Sequence, residues 1–211
     1  MTTPPWDASY TSGTLPPWDI GRPQPAFVRL ADDGLLRGRV LDAGCGTGEH
    51  ALLAAARGAD ALGVDVAPTA IERARSKAAE RGLAARFEVA DVLNLADLGL
   101  TFDTVIDSGL FHVFDDADRT RYVASLAEVV RDGGRCYLMC FSDRQPGDFG
   151  PRRVSQEELR AAFDGGWRIA GITANSFEIN LLGGHTGAQA WLAAIERTAD
   201  AAPPAGADSP A

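Results

Sequence analysis

The segment Val40-Leu41-Asp42-Ala43-Gly44-Cys45-Gly46-Thr47-Gly48-Glu49-His50 decides how the rest of this chain is interpreted. An apolar strand end runs into an acid, then into three glycines at alternate positions, and then into an apolar run with helical spacing. Glycine accepts positive φ angles and lets a ligand lie directly against the backbone. The turn also leads to a helix N-terminus, where free N–H groups point outward. The segment therefore predicts a nucleotide-type binding loop.

The spacing of the glycines distinguishes between kinds of ligand. Dinucleotide-binding loops carry G-x-G-x-x-G, whereas this loop reads G-x-G-x-G, with Asp42 two residues before the first glycine. A carboxylate beside the glycines disfavours phosphates and suits a cationic ligand, such as an ammonium or a sulfonium. The alternative is a tight strand–helix turn without a ligand. Three alternate glycines disfavour it, because they weaken a turn that only needs to be tight.

Length and composition limit the class of protein. The chain has 211 residues, of which 45% are apolar, and this predicts a single domain over residues 1–197. A formal net charge of −9 argues against a nucleic-acid surface. Three cysteines without paired spacing indicate a reducing compartment, and we expect a cytoplasmic location. The sequence predicts no membrane span and no metal site, and we expect a monomer or a homodimer.

The two ends of the chain differ from its middle. Residues 1–23, the N-terminal arm, are too rich in proline for regular structure and too aromatic for an ordinary disordered tail. The arm either packs its tryptophans on the core or, as we favour, forms a lid over the ligand site. A sulfonium would be attracted to the ring of Trp6 or Trp18. Residues 198–211, rich in Ala and Pro, are predicted to be a disordered tail.

Strands and helices alternate along the middle of the chain. Predicted strands cover 38–42, 61–65, 85–90, 102–107, 135–141, 167–174 and 188–195, the last of which alternates less clearly and has a helix as its alternative. Predicted helices cover 25–33, 49–57, 68–81, 116–130 and 156–163. This alternation predicts an α/β fold, a mostly parallel seven-stranded sheet with helices on both faces. Open sheets of this kind bind ligands at the carboxyl ends of their strands.

Acids follow several of the predicted strands. Asp65, after the second strand, could accept hydrogen bonds from both hydroxyls of a ribose. Asp91 and the backbone of Val92 could frame an adenine ring, and Asp107 with Ser108 would close the fourth edge of the site. Each carboxylate alone is more often a helix cap or a solvated loop acid. Acids at successive strand ends favour a shared ligand.

These motifs together resemble class I S-adenosylmethionine-dependent methyltransferases. Asp-x-Gly-x-Gly-x-Gly at 42–48 resembles motif I, Asp65 the acid of motif II, and Asp91-Val92 the adenine motif. The resemblance covers about residues 5–195 and implies a Rossmann-like fold with S-adenosylmethionine as the methyl donor. The donor contacts that it implies are Asp42, Gly44, Cys45, Gly46, Gly48, Asp65, Val66, Asp91, Val92, Asp107 and Ser108.

The N-terminal arm indicates which group of these methyltransferases the chain resembles. Trp6-Asp7, Tyr10 and the segment 17–23 are similar to the N-terminus of thiopurine and halide/thiol methyltransferases, and of bacterial detoxifying enzymes that methylate heterocyclic toxins and quinones. The similarity implies that Trp6 and Trp18 lie beside the donor. Acceptors in this group include thiols, halides, nitrogen heterocycles and phenolic oxygens, and the group's motifs specify the donor far better than the acceptor.

Aromatic residues near the strand ends indicate the kind of acceptor. Tyr10, Phe111 and Phe149 are predicted to contact it, whereas Phe141 is predicted to lie in the core. Such walls suit a small, flat, mostly apolar molecule. His112 is predicted to take the acceptor's proton as a general base, the alternative being a structural histidine.

The sequence therefore predicts an enzyme that methylates a small aromatic or heterocyclic hydroxyl, in detoxification or secondary metabolism. A thiol or halide methyltransferase is the first alternative. A protein that binds the donor without catalysis is another. A dehydrogenase is disfavoured by the glycine spacing and by Asp42.

Overall fold

Strands and helices alternate in the structure, a computed structural model that describes residues 6–13, 16–148, 150–181 and 184–199. The helices are α1 (Asp7–Thr11), α2 (Pro25–Asp32), α3 (Glu49–Ala56), α4 (Pro68–Arg81), α5 (Asp116–Val129) and α6 (Gln156–Ala162). The strands are β1 (Arg39–Ala43), β2 (Asp60–Asp65), β3 (Arg86–Val89), β4 (Phe102–Ser108), β5 (Val130–Phe141), β6 (Trp167–Leu181) and β7 (Gly184–Arg197). Two 3₁₀ helices, Val92–Leu98 and Phe111–Val113, follow β3 and β4.

The strands form one sheet in the order β3-β2-β1-β4-β5-β7-β6. β1 to β5 run parallel, and β7 lies antiparallel between β5 and β6. The strand order reverses between β1 and β4, so a crevice opens at the carboxyl ends of these two strands. The predicted fold class, a Rossmann-like and mostly parallel seven-stranded sheet, is confirmed.

Apolar side chains cover both faces of the sheet. One buried cluster contains Tyr122 and Leu126 of α5, and the other contains Phe27 of α2, Leu52 of α3 and Ile71 of α4. These five side chains are almost completely buried. The strands β1, β2 and β4 between the clusters are buried on both faces, which explains why they read as short continuous apolar runs.

The helix ends follow capping signals that are visible in the sequence. α4 begins at Pro68 and ends before Gly82, which has a φ angle of +62°. The Asp115 side chain accepts a hydrogen bond from the first turn of α5. Ser155 and Glu158 form the predicted capping box at the start of α6. These local signals explain why the predicted bounds of α4 to α6 agree closely with the structure.

The structure differs from the sequence prediction in four elements. The arm was predicted to lack regular structure, but its proline-free segment Asp7–Thr11 forms a helical turn. β6 continues to Leu181 and β7 begins at Gly184, because the two strands pair along their whole length as a hairpin. β5 begins at Val130 rather than at 135, with an irregular register against β4.

The division into one domain over residues 1–197, with a lid arm at 1–23 and a tail at 198–211, stays a prediction. Residues 1–5, 14 and 15 of the arm and residues 200–211 of the tail lie outside the described residues.

Candidate active site

The loop after β1 needs glycine at each of its three alternate positions. Gly44, Gly46 and Gly48 have φ angles of +67°, +51° and +88°. A Cβ atom would lie 3.0 Å from Leu110 at the first position and 2.9 Å from the Tyr10 hydroxyl at the second. At the third it would lie 2.7 Å from Phe87, which packs under the loop. The first two glycines therefore leave space on the crevice side, whereas Gly48 serves the packing of the loop on the sheet.

Two of the predicted donor contacts are buried beneath the crevice. The Asp42 carboxylate accepts a hydrogen bond from the Ala51 N–H at 2.9 Å, and that of Asp107 accepts from the N–H groups of Leu110 and Phe111. Burial raises the pKa of each carboxyl group to about 7. Neither side chain lines the cavity. Helix-end N–H groups hold both carboxylates in this structure, and their contact with the donor stays a prediction.

Asp65 and Asp91 reach the crevice from neighbouring strand ends. Asp65 accepts from the Gly46 N–H and the Ala67 N–H, both at 2.9 Å, and so ties the glycine loop to the end of β2. Burial raises its pKa. Asp91 accepts from the Leu93 N–H at 3.0 Å and caps the following 3₁₀ helix. Both acids line the cavity, together with Gly44, Cys45, Gly46, Val66, Val92 and Ser108.

The start of the arm lies on α4. Asp7 accepts from the N–H of Thr69 at 2.8 Å and from its hydroxyl at 3.1 Å, so this acid caps the first turn of α4. Arg73 donates to the Tyr10 carbonyl at 2.6 Å. These bonds hold the short helix α1 against the core.

The aromatic residues of the arm form a cluster over the glycine loop. The Trp18 indole N–H donates to the Tyr10 hydroxyl at 3.1 Å, and the rings of Trp6 and Trp18 meet edge to face with centroids 5.9 Å apart. Both tryptophans line the cavity and stay almost half exposed. Tyr10 lies against Gly46 at the glycine-loop end of the cavity, and its contact with the acceptor stays a prediction.

A buried polar chain connects the arm to α4 through the glycine loop. The Thr47 hydroxyl donates to Asp19 at 3.0 Å and accepts from the Lys77 ammonium at 2.7 Å. Lys77 also pairs with Glu49 at 2.8 Å, and Arg81 pairs with the same carboxylate. These residues are not among those predicted from the sequence. Thr47 and Glu49 stand within the segment 40–50, but their partners are far away in sequence.

The second half of the arm binds the end of β6. The Asn180 N–H donates to the Pro17 carbonyl at 2.8 Å, and its side-chain amide donates to the Asp19 carbonyl at 2.7 Å. The Gln24 side chain exchanges two hydrogen bonds with the Glu178 backbone, at 2.8 and 2.9 Å. The arm therefore spans from the glycine loop to the edge of the sheet and closes one side of the crevice.

The space between the arm and the strand ends is a cavity of about 950 Å³. At the end farthest from β2 and β3, its walls include the rings of His112, Phe141 and Phe177, with centroids 5.1 to 5.9 Å apart. Ile20 of the arm and Ile179 of β6 line the same cavity. Phe141, predicted to be core, is therefore also a wall of the cavity.

Two predicted acceptor contacts do not fall on this wall. Phe111 is fully buried, packed near Phe163 with the Arg119 guanidinium over its ring, and does not line the cavity. The short helix after β4 turns the ring into the core, and its contact with an acceptor stays a prediction. Phe149 lies outside the described residues.

His112 is held by the backbone of β5. Its Nδ1 accepts a hydrogen bond from the Phe141 N–H at 3.0 Å, and the ring is almost completely buried. Burial lowers the pKa of His112 to about 3, and the positive charges of Arg119 and Arg153 contribute to this lowering. The hydrogen bond to Nδ1 and the lowered pKa disfavour the general-base role, which stays a prediction.

Comparisons with known proteins identify the kind of site. Residues 40–134 match the model of a methyltransferase domain. Over 161 residues the chain is 42% identical to the 2-heptyl-1-hydroxyquinolin-4(1H)-one methyltransferase of Mycobacteroides abscessus, covering 75% of this chain and 71% of that relative. The chain belongs to the methyltransferase family. It is therefore an enzyme that uses S-adenosylmethionine as its methyl donor and a small molecule as its acceptor.

Other similar proteins widen the range of acceptors within the family. The enzyme is 28% identical to a probable thiol methyltransferase of Arabidopsis thaliana, covering 72% of this chain and 68% of that relative. A solved structure from work on the conversion of a disulfide bond into a thioacetal group during echinomycin biosynthesis is 39% identical, with a TM-score of 0.85 and 92% of each chain covered. A Synechocystis magnesium protoporphyrin IX methyltransferase, solved with bound S-adenosylmethionine, is 25% identical with a TM-score of 0.61, covering 81% of this chain and 76% of that one.

The glycine-loop end of the cavity fits this donor. Gly44 and Gly46 leave the loop open, the Asp65 and Asp91 carboxylates lie at adjoining strand ends, and the rings of Trp6 and Trp18 cover the opposite side. Contacts of these residues with the donor stay predictions. In the described part of the chain, no group of three or more His, Cys, Asp or Glu residues could hold a metal ion, and no helix is long and apolar enough to cross a membrane.

Proposed function

We propose that this enzyme transfers a methyl group to a hydroxyl oxygen of a small aromatic or nitrogen-heterocyclic molecule. One observation carries the proposal: the cavity joins the donor-side loop to a wall formed by His112, Phe141 and Phe177. Flat aromatic molecules pack well against such rings. Similarity to a hydroxyquinolinone methyltransferase supports a heterocyclic acceptor, and similarity to a thiol methyltransferase makes a thiol or halide the second candidate.

The donor supplies an electrophilic methyl group on a sulfonium when it is bound. The glycine loop, Asp65 and Asp91 would hold the adenosine part, and the Trp6–Trp18 pair would cover the charged end. The aromatic wall would orient the acceptor toward the same point. Transfer at carbon needs the two reactants in contact and water excluded, and the arm would exclude water by closing the crevice.

The location and assembly of the enzyme belong to the same proposal. Its three cysteines are buried and unpaired, which supports a reducing compartment such as the cytoplasm. We expect it to act there as a monomer or a homodimer, in detoxification or secondary metabolism.

A panel of acceptors tests the proposed chemistry. Hydroxyquinolinones, phenols, thiophenols and iodide would be incubated with the enzyme and S-adenosylmethionine, and methylated products quantified by mass spectrometry. We expect the highest kcat/KM for an aromatic or heterocyclic hydroxyl. Turnover of iodide or thiols with none of the hydroxyl acceptors would assign the enzyme to the thiol and halide group instead.

A further inference from the structure

The protonation of His112 is determined by its neighbour in β5. A backbone N–H can only donate, so Nδ1, which accepts from the Phe141 N–H at 3.0 Å, must carry the lone pair. The proton of the neutral ring is then on Nε2. Turning the ring over would leave the Phe141 N–H, at the end of a buried strand, without this acceptor.

The Nε2–H group faces the cavity beside Gly109. This glycine has a φ angle of +89°, and a Cβ atom on it would lie 3.4 Å from Nε2 and 3.6 Å from the Phe177 ring. His112 is 6% exposed and lines the cavity. Among the described residues, none accepts a hydrogen bond from Nε2. A donor that opens onto the cavity and has no protein partner is placed to bond an acceptor atom of the ligand.

The positive charges near His112 disfavour protonation of the imidazole and favour binding of an anion beside it. Arg119 of α5 and Arg153 of the loop after β5 both lower the pKa of the ring. The Arg153 guanidinium lies 5.4 Å from the centroid of the Phe141 ring, behind the aromatic wall. The positive field that helps to keep His112 neutral also stabilises an anion bound next to the imidazole ring.

The other titratable side chains of the cavity are not placed to replace His112 as a base. Four carboxylates accept hydrogen bonds from protein groups, those of Asp19, Asp65, Asp91 and Asp115. Glu49 is paired with two cations, and burial raises the pKa of the Cys45 thiol. His50 has its Nε2 occupied by the Gln24 N–H, and burial lowers its pKa to about 4. Tyr10 accepts from Trp18, and burial raises its pKa.

We propose that the enzyme takes acceptors that are already ionised, and that the Nε2–H of His112 donates a hydrogen bond to the anionic oxygen or sulfur. This inference rests on the proposed function and names its substrate class: acidic hydroxyls and thiols, such as N-hydroxy heterocycles, nitrophenols and thiophenols. Weakly acidic phenols and alcohols are excluded.

The reaction then balances without a proton passing through the protein. The acceptor loses its proton to solvent before it binds. Its anionic atom forms the new bond to the methyl carbon, the carbon–sulfur bond of the sulfonium breaks, and that electron pair stays on sulfur as a neutral thioether. His112 is a positioning donor that keeps its own proton throughout.

A series of acceptors with different acidities tests the inference on the unmodified enzyme. For nitrophenols and N-hydroxyquinolinones, kcat/KM is measured across pH. We expect the midpoint of each profile to follow the acceptor's own pKa. A midpoint at one pH for all acceptors would assign the proton to an enzyme base and overturn the inference. Absence of methylation across the whole series would instead reject the proposed function.

Absorbance of the bound acceptor gives a readout that does not need turnover. A nitrophenol is titrated onto enzyme saturated with S-adenosylhomocysteine, and its anion is distinguished from the neutral form by its spectrum. We expect the bound nitrophenol to be the anion, and His112→Leu to bind the anion roughly tenfold to hundredfold more weakly. His112→Gln keeps a donor and should recover part of that loss. Binding of the neutral form by the wild type would overturn the inference.

His50→Gln is the matched comparison. It alters the other histidine that lines the cavity, and we expect the preference for the anion to be unchanged in it. Circular dichroism and thermal melting of each variant separate an effect on the acceptor from a loss of folding. An equal loss of anion affinity in His50→Gln and His112→Leu would contradict the assignment to Nε2.

Discussion

The contact between Gly46 and Tyr10 allows a direct test of whether the arm closes on the glycine loop. Ala at position 46 would place its Cβ 2.9 Å from the Tyr10 hydroxyl and 3.9 Å from the ring carbon that bears it. It would also hold a non-glycine residue at a φ angle of +51°, which costs roughly 1–2 kcal/mol. Gly46→Ala therefore combines backbone strain with a clash that Tyr10→Phe should remove.

A double-mutant cycle separates the strain from the clash. Tyr10→Phe alone loses the bond from the Trp18 indole, about 1 kcal/mol. In the Tyr10→Phe background, Gly46→Ala keeps its backbone strain but loses the clash with the hydroxyl. The double mutant should therefore be about 0.5–3 kcal/mol more stable than the sum of the two single effects predicts. Urea unfolding measures stability, and calorimetry with S-adenosylmethionine measures donor affinity.

Gly48→Ala provides the control for this cycle. Its Cβ would lie 2.7 Å from Phe87 and 2.8 Å from Ala74, away from the arm. Its cost should be the same with and without Tyr10→Phe. If Gly46→Ala and Tyr10→Phe are additive within about 0.5 kcal/mol, the arm does not pack on the loop as described.

Three further predictions concern the donor end and stability. Asp65→Ala should weaken S-adenosylmethionine binding by roughly 1–3 kcal/mol in calorimetry, because charge-assisted hydrogen bonds are lost; undiminished affinity would remove Asp65 from the site. Thr47→Val removes the hydroxyl between Asp19 and Lys77 and should weaken donor binding by about 1 kcal/mol, whereas an unchanged Kd would show that this link does not position the arm for donor binding. Burial lowers the pKa of His50 in the folded protein from 6.5 to about 4. Between pH 6.5 and pH 4 the folded ring is therefore neutral, whereas His50 of the unfolded chain binds a proton. The stability advantage of wild type over His50→Gln should therefore shrink by about 1.4 kcal/mol for each unit that the pH falls from 6.5 toward 4. A constant difference in urea unfolding would contradict a neutral ring in the folded protein.

Local signals explain why the fold could be predicted from the sequence. Glycines at 44–48, Pro68, and the capping residues of α5 and α6 act within a few positions of themselves. The bounds of β6 and β7 depend on pairing between distant segments, and their full lengths are invisible in either segment alone. The position of α1 also depends on a distant segment, because the Asp7 carboxylate accepts a hydrogen bond from the N–H of Thr69 in α4.

The site was predictable as a region but less so as individual contacts. Asp42 and Asp65 both end apolar strands, yet only Asp65 lines the cavity. A strand-end acid is equally suited to a ligand and to a nearby helix N–H, and sequence alone does not say which it meets. The role of His112 was the hardest to predict, because the Phe141 N–H that determines which ring nitrogen carries the proton lies 29 residues away in the sequence.

Transfer of a labelled methyl group is the decisive measurement for the proposed methylation of an aromatic hydroxyl. The enzyme would be mixed in single turnover with S-adenosylmethionine labelled in its methyl group and a 1-hydroxyquinolin-4-one, and the product analysed by NMR and mass spectrometry. We expect the label on the acceptor's hydroxyl oxygen. Tight donor binding with no label on any acceptor of the panel, or label found only on protein or nucleic acid, would contradict the proposal.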